Sequence, residues 1–116
     1  MKRTILCADT QPAVLLTTEQ ILQQEGYRVS IAATAEDAAH LLKAQPFDLI
    51  LLDCIPNYES VIRVAKRVAP SMRVAVFTGN LALINLPLAD IVLHKPVPPP
   101  VLLTAIAKLL HVSQAA

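Results

Sequence analysis

The sequence predicts a small doubly wound α/β domain, a parallel sheet with helices on both faces. Three observations carry that prediction. Five short aliphatic runs recur along the 116 residues, separated by stretches with helical periodicity. Strands that alternate with helices imply βαβ units and right-handed crossovers. The runs are also nearly continuous in apolar residues, as strands buried on both faces must be. One domain, residues 1–116, accounts for the whole length, which is sufficient to bury a single core.

The first strand falls at about 3–8 (RTILCA). In the helix that follows, 12–25, Pro12 suits the first turn, and Val14, Leu15, Thr18, Ile21 and Leu22 trace one face. Gly26 closes it as a left-handed cap. The second strand covers 28–33 (RVSIAA), and Thr34 to Asp37 (TAED) resembles a capping box opening a helix that carries Ala38, Leu41 and Leu42. The third strand is 47–52 (FDLILL). Residues 58–69 then place Val61, Ile62, Ala65 and Val68 on one side, with Arg63, Lys66 and Arg67 as a solvated face. The fourth and fifth strands are 73–77 (RVAVF) and 90–94 (DIVLH). Between them, Asn80 to Leu86 has room for at most two helical turns before Pro87. After Pro98, Pro99 and Pro100, residues 101–111 form a last helix with Leu102, Leu103, Ile106, Leu109 and Leu110 inward.

Composition removes several function classes. Apolar residues make up 54% and aromatics 3%, so the core is aliphatic. The net charge of +1, without a basic or acidic block, gives no footprint for nucleic acid or a membrane surface. The opening MKRTILCADTQ is broken by Asp9 too soon for a signal peptide, and the oily region Leu81 to Leu93 is interrupted by Asn85, Pro87 and Asp90. Cys7 and Cys54 lack metal-ligand spacing and read as buried thiols, so the expected setting is cytoplasmic. With Gly26 and Gly79 as the only glycines, neither a dinucleotide turn nor a Walker loop is present. His40, His94 and His111 fall away from any plausible nucleophile, so a small α/β enzyme is disfavoured.

In such a sheet, ligands sit beyond the carboxyl ends of the strands, where strand order reverses. The first strand ends in Asp9-Thr10, the third in Asp53, the fourth in Thr78-Gly79 and the fifth in Lys95-Pro96. One edge therefore collects two carboxylates, a hydroxyl and an ammonium. Two carboxylates suit a hard divalent cation such as Mg²⁺, and a carboxylate can attack phosphorus to form an aspartyl phosphate. The charge spread over three phosphoryl oxygens needs a metal and donors around it. Lys95, Thr78 and backbone N–H groups after Asp53 can supply those donors, and Gly79 would let the main chain approach closely. Plainer roles stay open: Asp9 as a helix cap, Asp53 as a turn acid, Thr78 as a turn hydroxyl, Lys95 as a neutralising partner.

The segments ILCADTQP, FDLILLDCIP, VAVFTGN and VLHKP, in that order, resemble a response-regulator receiver domain of two-component signalling. The resemblance implies a five-stranded sheet in order 2-1-3-4-5. It further implies that Asp53 accepts a phosphoryl group from a sensor histidine kinase or a phosphotransfer protein. Asp9, Asp53 and the carbonyl at Ile55 would hold Mg²⁺, Thr78 and Lys95 would contact the phosphoryl group, and Lys95–Pro96 would commonly be cis. Four departures stand out: Thr10 replaces a second acid, Pro56 comes three rather than four residues after Asp53, Val92 replaces an aromatic, and the stretch from Thr78 to Lys95 is short. Thr10 leads us to expect weak Mg²⁺ binding. Residues 81–88 are expected to leave an apolar patch for a homodimer or a downstream protein partner, largely insensitive to phosphorylation, the alternative being a collapsed loop that buries Leu81, Leu83, Ile84 and Leu86. The alternative function is a phosphorylation-independent adaptor. No output domain is expected within the chain, so the signal would pass through another protein.

Overall fold

The computed structural model, which describes residues 2–53, 55–79 and 88–112, assembles the five aliphatic runs into one parallel sheet. The elements are β1 (Thr4–Ala8), α1 (Pro12–Gln24), β2 (Arg28–Ala32), α2 (Ala35–Ala44), β3 (Leu49–Asp53), α3 (Tyr58–Val68), β4 (Arg73–Thr78), β5 (Ile91–His94) and α4 (Pro99–Val112). The strand order is β2-β1-β3-β4-β5, as the resemblance implied. The short helix expected over 80–86 lies outside the described residues, as does Cys54.

Within each oily run, alternate residues part to opposite faces, so a hidden period of two divides the core. Leu6, Ala8, Ile50, Leu52, Val74 and Val76 pack with Ala38, Leu42, Val61, Ile62 and Ala65 of α2 and α3. Ile5, Cys7, Leu49, Leu51 and Ala75 pack with Leu15 and Leu22 of α1 and Leu102, Ile106 and Leu110 of α4. Burial of Cys7 pushes its thiol up to about 12, with the nearby charge of Glu19 adding to the effect, so it is inert at neutral pH.

Local chemistry sets the ends. Gly26, at φ 93°, closes α1, with Gly26 N–H donating to the Gln23 carbonyl (3.0 Å) and Tyr27 N–H to that of Leu22 (3.2 Å). The Thr34 hydroxyl accepts from Asp37 N–H at 3.1 Å, which opens α2. After β3, Pro56 and Asn57 (φ 65°) occupy the central positions of a turn in which Tyr58 N–H donates to the Ile55 carbonyl at 3.1 Å.

Three expectations are corrected. The last helix begins at Pro99, not residue 101, because the first N–H groups of a helix have no internal partner and proline loses nothing there. Val68, expected inward, is 46% exposed: α3 ends there, and buried Met72 packs in the core nearby. Lys66, expected on a solvated face, bends to the lower edge, where its ammonium donates to the Met72 carbonyl (2.8 Å) and Asp90 (3.3 Å).

The acids of that lower edge serve the fold. Asp48 accepts from Thr4 N–H at 2.8 Å and Asp90 from Val74 N–H at 2.6 Å, each bonding the start of a strand. Asp9 and Asp53 lie at the opposite edge.

Candidate functional site

The sheet order reverses between β1 and β3, and both strands end there in an acid. Asp9 follows β1, its N–H donating to the Ala32 carbonyl at 3.1 Å. Its Oδ1 accepts from Gln11 N–H at 2.9 Å, and the residue is 3% exposed. Gln11 rather than Asp9 is the N-cap of α1, so the plain capping role is not the one Asp9 takes. Asp53, the last residue of β3, is half-buried and within hydrogen-bonding reach of Asp9.

Lys95 joins the pair. Its Nζ lies 2.9 Å from Asp53 Oδ2 and 3.8 Å from Asp9 Oδ2. Its position is set by the end of β5, where Thr78 pairs with His94 and Lys95 N–H donates to the Thr78 carbonyl at 2.7 Å. The Thr78 side chain is buried at the end of β4, and the Lys95–Pro96 peptide is cis. Asp9, Asp53 and Lys95 therefore meet at this edge, with Thr78 at the adjoining end of β4, although half of the path from Thr78 to Lys95 lies outside the described residues.

The remaining expectations fare unevenly. Thr10 is exposed and adds no charge. Among the described residues, an added Cβ at Gly79 would meet nothing within 4 Å, so none of them requires glycine there. Val92 packs on the core cluster facing α2 and α3, and His94 is exposed.

Sequence reasoning missed Phe77. The Lys95 ammonium sits 5.0 Å from the centroid of its ring. The available signal was an aromatic at the exit of a strand in a chain with only two phenylalanines.

Electrostatically the site is poised against itself. Among the described residues, two carboxylates meet the same ammonium. Asp9 holds its proton above the ordinary carboxylate range chiefly because it is buried. The Gln11 N–H pulls the other way, the negative charge of Asp53 and its contact raise it further, and Lys95 offsets part of this.

A hard cation fits this donor set. Among the described residues there is no cluster of three or more His, Cys, Asp or Glu, so the protein offers two carboxylates and leaves water to complete the shell. Beside both acids lies a pocket of about 20 Å³, lined also by Val14, Thr18 and Phe77, enough for one water-sized occupant. Ile55, whose carbonyl would be a third ligand, already accepts from Tyr58 N–H at 3.1 Å, which leaves one lone pair.

A family model described as the response regulator receiver domain matches residues 5–107. The chain belongs to that family. Among curated proteins, this receiver domain is 37% identical over 119 residues to the alginate biosynthesis transcriptional regulatory protein AlgB of Pseudomonas putida. The match covers 95% of this chain and 26% of AlgB, so the chain spans about a quarter of the length of that relative. A CheY-like receiver from Methanospirillum hungatei superposes with a TM-score of 0.92 at 32% identity, covering 99% of this chain and 98% of its own. The response regulator TrrA of Thermotoga maritima shares the fold (TM-score 0.85, 23% identity, 93% and 99% covered). This places the chain among the receiver domains of two-component systems.

Proposed function

We propose that Asp53 accepts a phosphoryl group from the phosphohistidine of a sensor histidine kinase or a phosphotransfer protein, and that the phosphorylated or unphosphorylated receiver signals by contact with a downstream protein. The observation that carries this reading is the meeting of Asp9, Asp53 and Lys95 at the switch point, with Lys95 Nζ 2.9 Å from the proposed nucleophile. In the transfer, an Asp53 oxygen forms the new O–P bond while the P–N bond breaks and the imidazole leaves. Lys95 is within reach to follow the charge from the carboxylate onto the phosphoryl oxygens, and Thr78 stands at the same edge to donate its hydroxyl. Mg²⁺, held by Asp9, Asp53 and the Ile55 carbonyl, would neutralise charge on the carboxylates and the phosphoryl oxygens. TrrA, of the same fold, was solved in complex with Mg²⁺-BeF. The test is direct: a small-molecule phosphodonor with saturating Mg²⁺ adds one phosphate to the wild type, read by intact mass. Absence of any label supports the second reading, a phosphorylation-independent adaptor, which the uncharged Thr10 favours.

The metal affinity is expected to be low, since Thr10 supplies no charge and the Ile55 carbonyl is partly engaged. Thr10→Asp should tighten Mg²⁺ binding by roughly tenfold, the scale on which ligand charge and geometry tune such sites. Titration of both proteins, followed by quenching of Tyr58 fluorescence or by chemical shifts, decides it. An unchanged affinity in the variant means that the missing charge is not what limits the site.

For output we propose that residues 81–88 contact a second copy or a protein partner. Residues 81–87 lie outside the description, while Leu88 and Val101 are exposed at 48% and 51%. Val101 also lines a shallow cavity of about 490 Å³ with Ile91, Pro100, Thr104 and Leu109. Leu83→Glu/Leu86→Glu should convert a dimeric wild type to monomer in sedimentation, equally with and without phosphodonor. A wild type monomeric at high concentration removes self-association from the proposal.

A further inference from the structure

We propose that Phe77 is a positioning residue for Lys95: its ring face holds the ammonium against Asp53 and Asp9. The inference rests on the phosphoacceptor reading of the site and adds a residue to it. Lys95 is a long, flexible side chain on the far side of β4 from Asp53. It leaves β5 just past His94, which pairs with Thr78, and must turn back across the end of β4 to reach β3. At 27% side-chain exposure, the ammonium is wet enough to have competing rotamers in water, and its hydration opposes capture.

The ring supplies what the carboxylates alone do not. Alternation along β4 puts Phe77 with Ala75 on the face toward α1 and α4, and the ammonium stands 5.0 Å from the ring centroid. At that distance the negative face of the ring attracts the cation and restricts the sideways swing of the chain. An aliphatic residue would fill the space without that electrostatic face. Phe77 also lines two cavities: the small pocket beside Asp9 and Asp53, and a groove of about 340 Å³ between α1 and α4, bordered by Ala13, Thr17, Ile21 and Val97. Its ring thus stands between the acids and the groove.

The test compares Phe77→Leu and Phe77→Met, which remove the ring, with Phe77→Tyr, which keeps it. In protein carrying ¹³C-labelled lysine, the Lys95 ε-methylene resonance should be shifted upfield by the ring current in wild type and Phe77→Tyr, and should return to the position of exposed lysines in the ring-free variants. Phosphodonor labelling at saturating Mg²⁺ should slow about two- to fivefold without the ring, the scale of a partly exposed cation–π contact, and recover in Phe77→Tyr. A Lys95 resonance that does not differ between the wild type and the folded ring-free variants overturns the proposal. Equal slowing in the Tyr and Leu variants overturns it too, because that is the mark of packing alone. If the wild type takes no label, the phosphoacceptor reading fails, and the ring-current shift still shows whether the Lys95 side chain lies over the Phe77 ring.

Discussion

Asp53→Asn takes up no phosphate from a phosphodonor and Mg²⁺ under conditions that label the wild type. The loss is all or nothing because the amide is not an anionic nucleophile, while its size leaves the end of β3 undisturbed. The substitution also takes a partner from Lys95, which lies 2.9 Å from the carboxylate, and relieves the repulsion with Asp9. Unfolding should therefore remain cooperative, and loss of label cannot be charged to loss of fold. Intact mass measured on both proteins after equal exposure reads the result. A phosphate that persists on the variant means that another side chain is the acceptor.

Asp9→Asn should be more stable than the wild type in metal-free buffer at neutral pH, by roughly 1–3 kcal/mol, the cost of a buried polar group left poorly compensated. The Asp9 carboxyl is buried, faces Asp53 and has its proton affinity raised above the ordinary value of 3.8. Over the interval from that value to the native one, the folded state binds more protons than the unfolded. Stability therefore falls as pH rises through the interval, and the deficit is complete above it. Below 3.8 the Asp9 contribution to the difference between wild type and variant vanishes, and toward neutral pH it grows. The same substitution removes one of two carboxylates from the cation site, so Mg²⁺ affinity should drop about tenfold or more. Urea unfolding across pH in chelator, followed by a Mg²⁺ titration, measures both effects. A variant less stable than the wild type at neutral pH without metal would show that the Asp9 charge is well compensated. The opposition of these two effects is the physical sense of the site: stability given up at the carboxylates is the affinity a dication recovers.

Much of this was legible in the chain because the signals are local. Gly26 and the Thr34 cap act over three or four residues, and the aliphatic runs bound the strands to within about two residues. Boundaries failed where a local rule had two readings. The proline run could precede a helix or begin one, and Pro99 and Pro100 begin it. Lys66 shows the other failure. Charge spacing on a helix says which side a lysine leaves from, but not that the Met72 carbonyl and Asp90 wait at the sheet edge to receive it.

By itself the sequence determined the alternation of strands and helices, the aliphatic core, and the delivery of Asp9, Asp53, Thr78 and Lys95 to strand ends, since periodicity and strand direction carry each residue to its edge. Tertiary structure alone decided which of them touch. The placing of β1 beside β3 brings the two acids within reach, and burial of Asp9, with the nearby Asp53 charge adding to it, raises its proton affinity. The pairing of Thr78 with His94 releases Lys95 where it can lie over Phe77 and reach Asp53. Such contacts join residues tens of positions apart, and pairwise distance depends on register and packing, quantities that no local stretch of chain encodes.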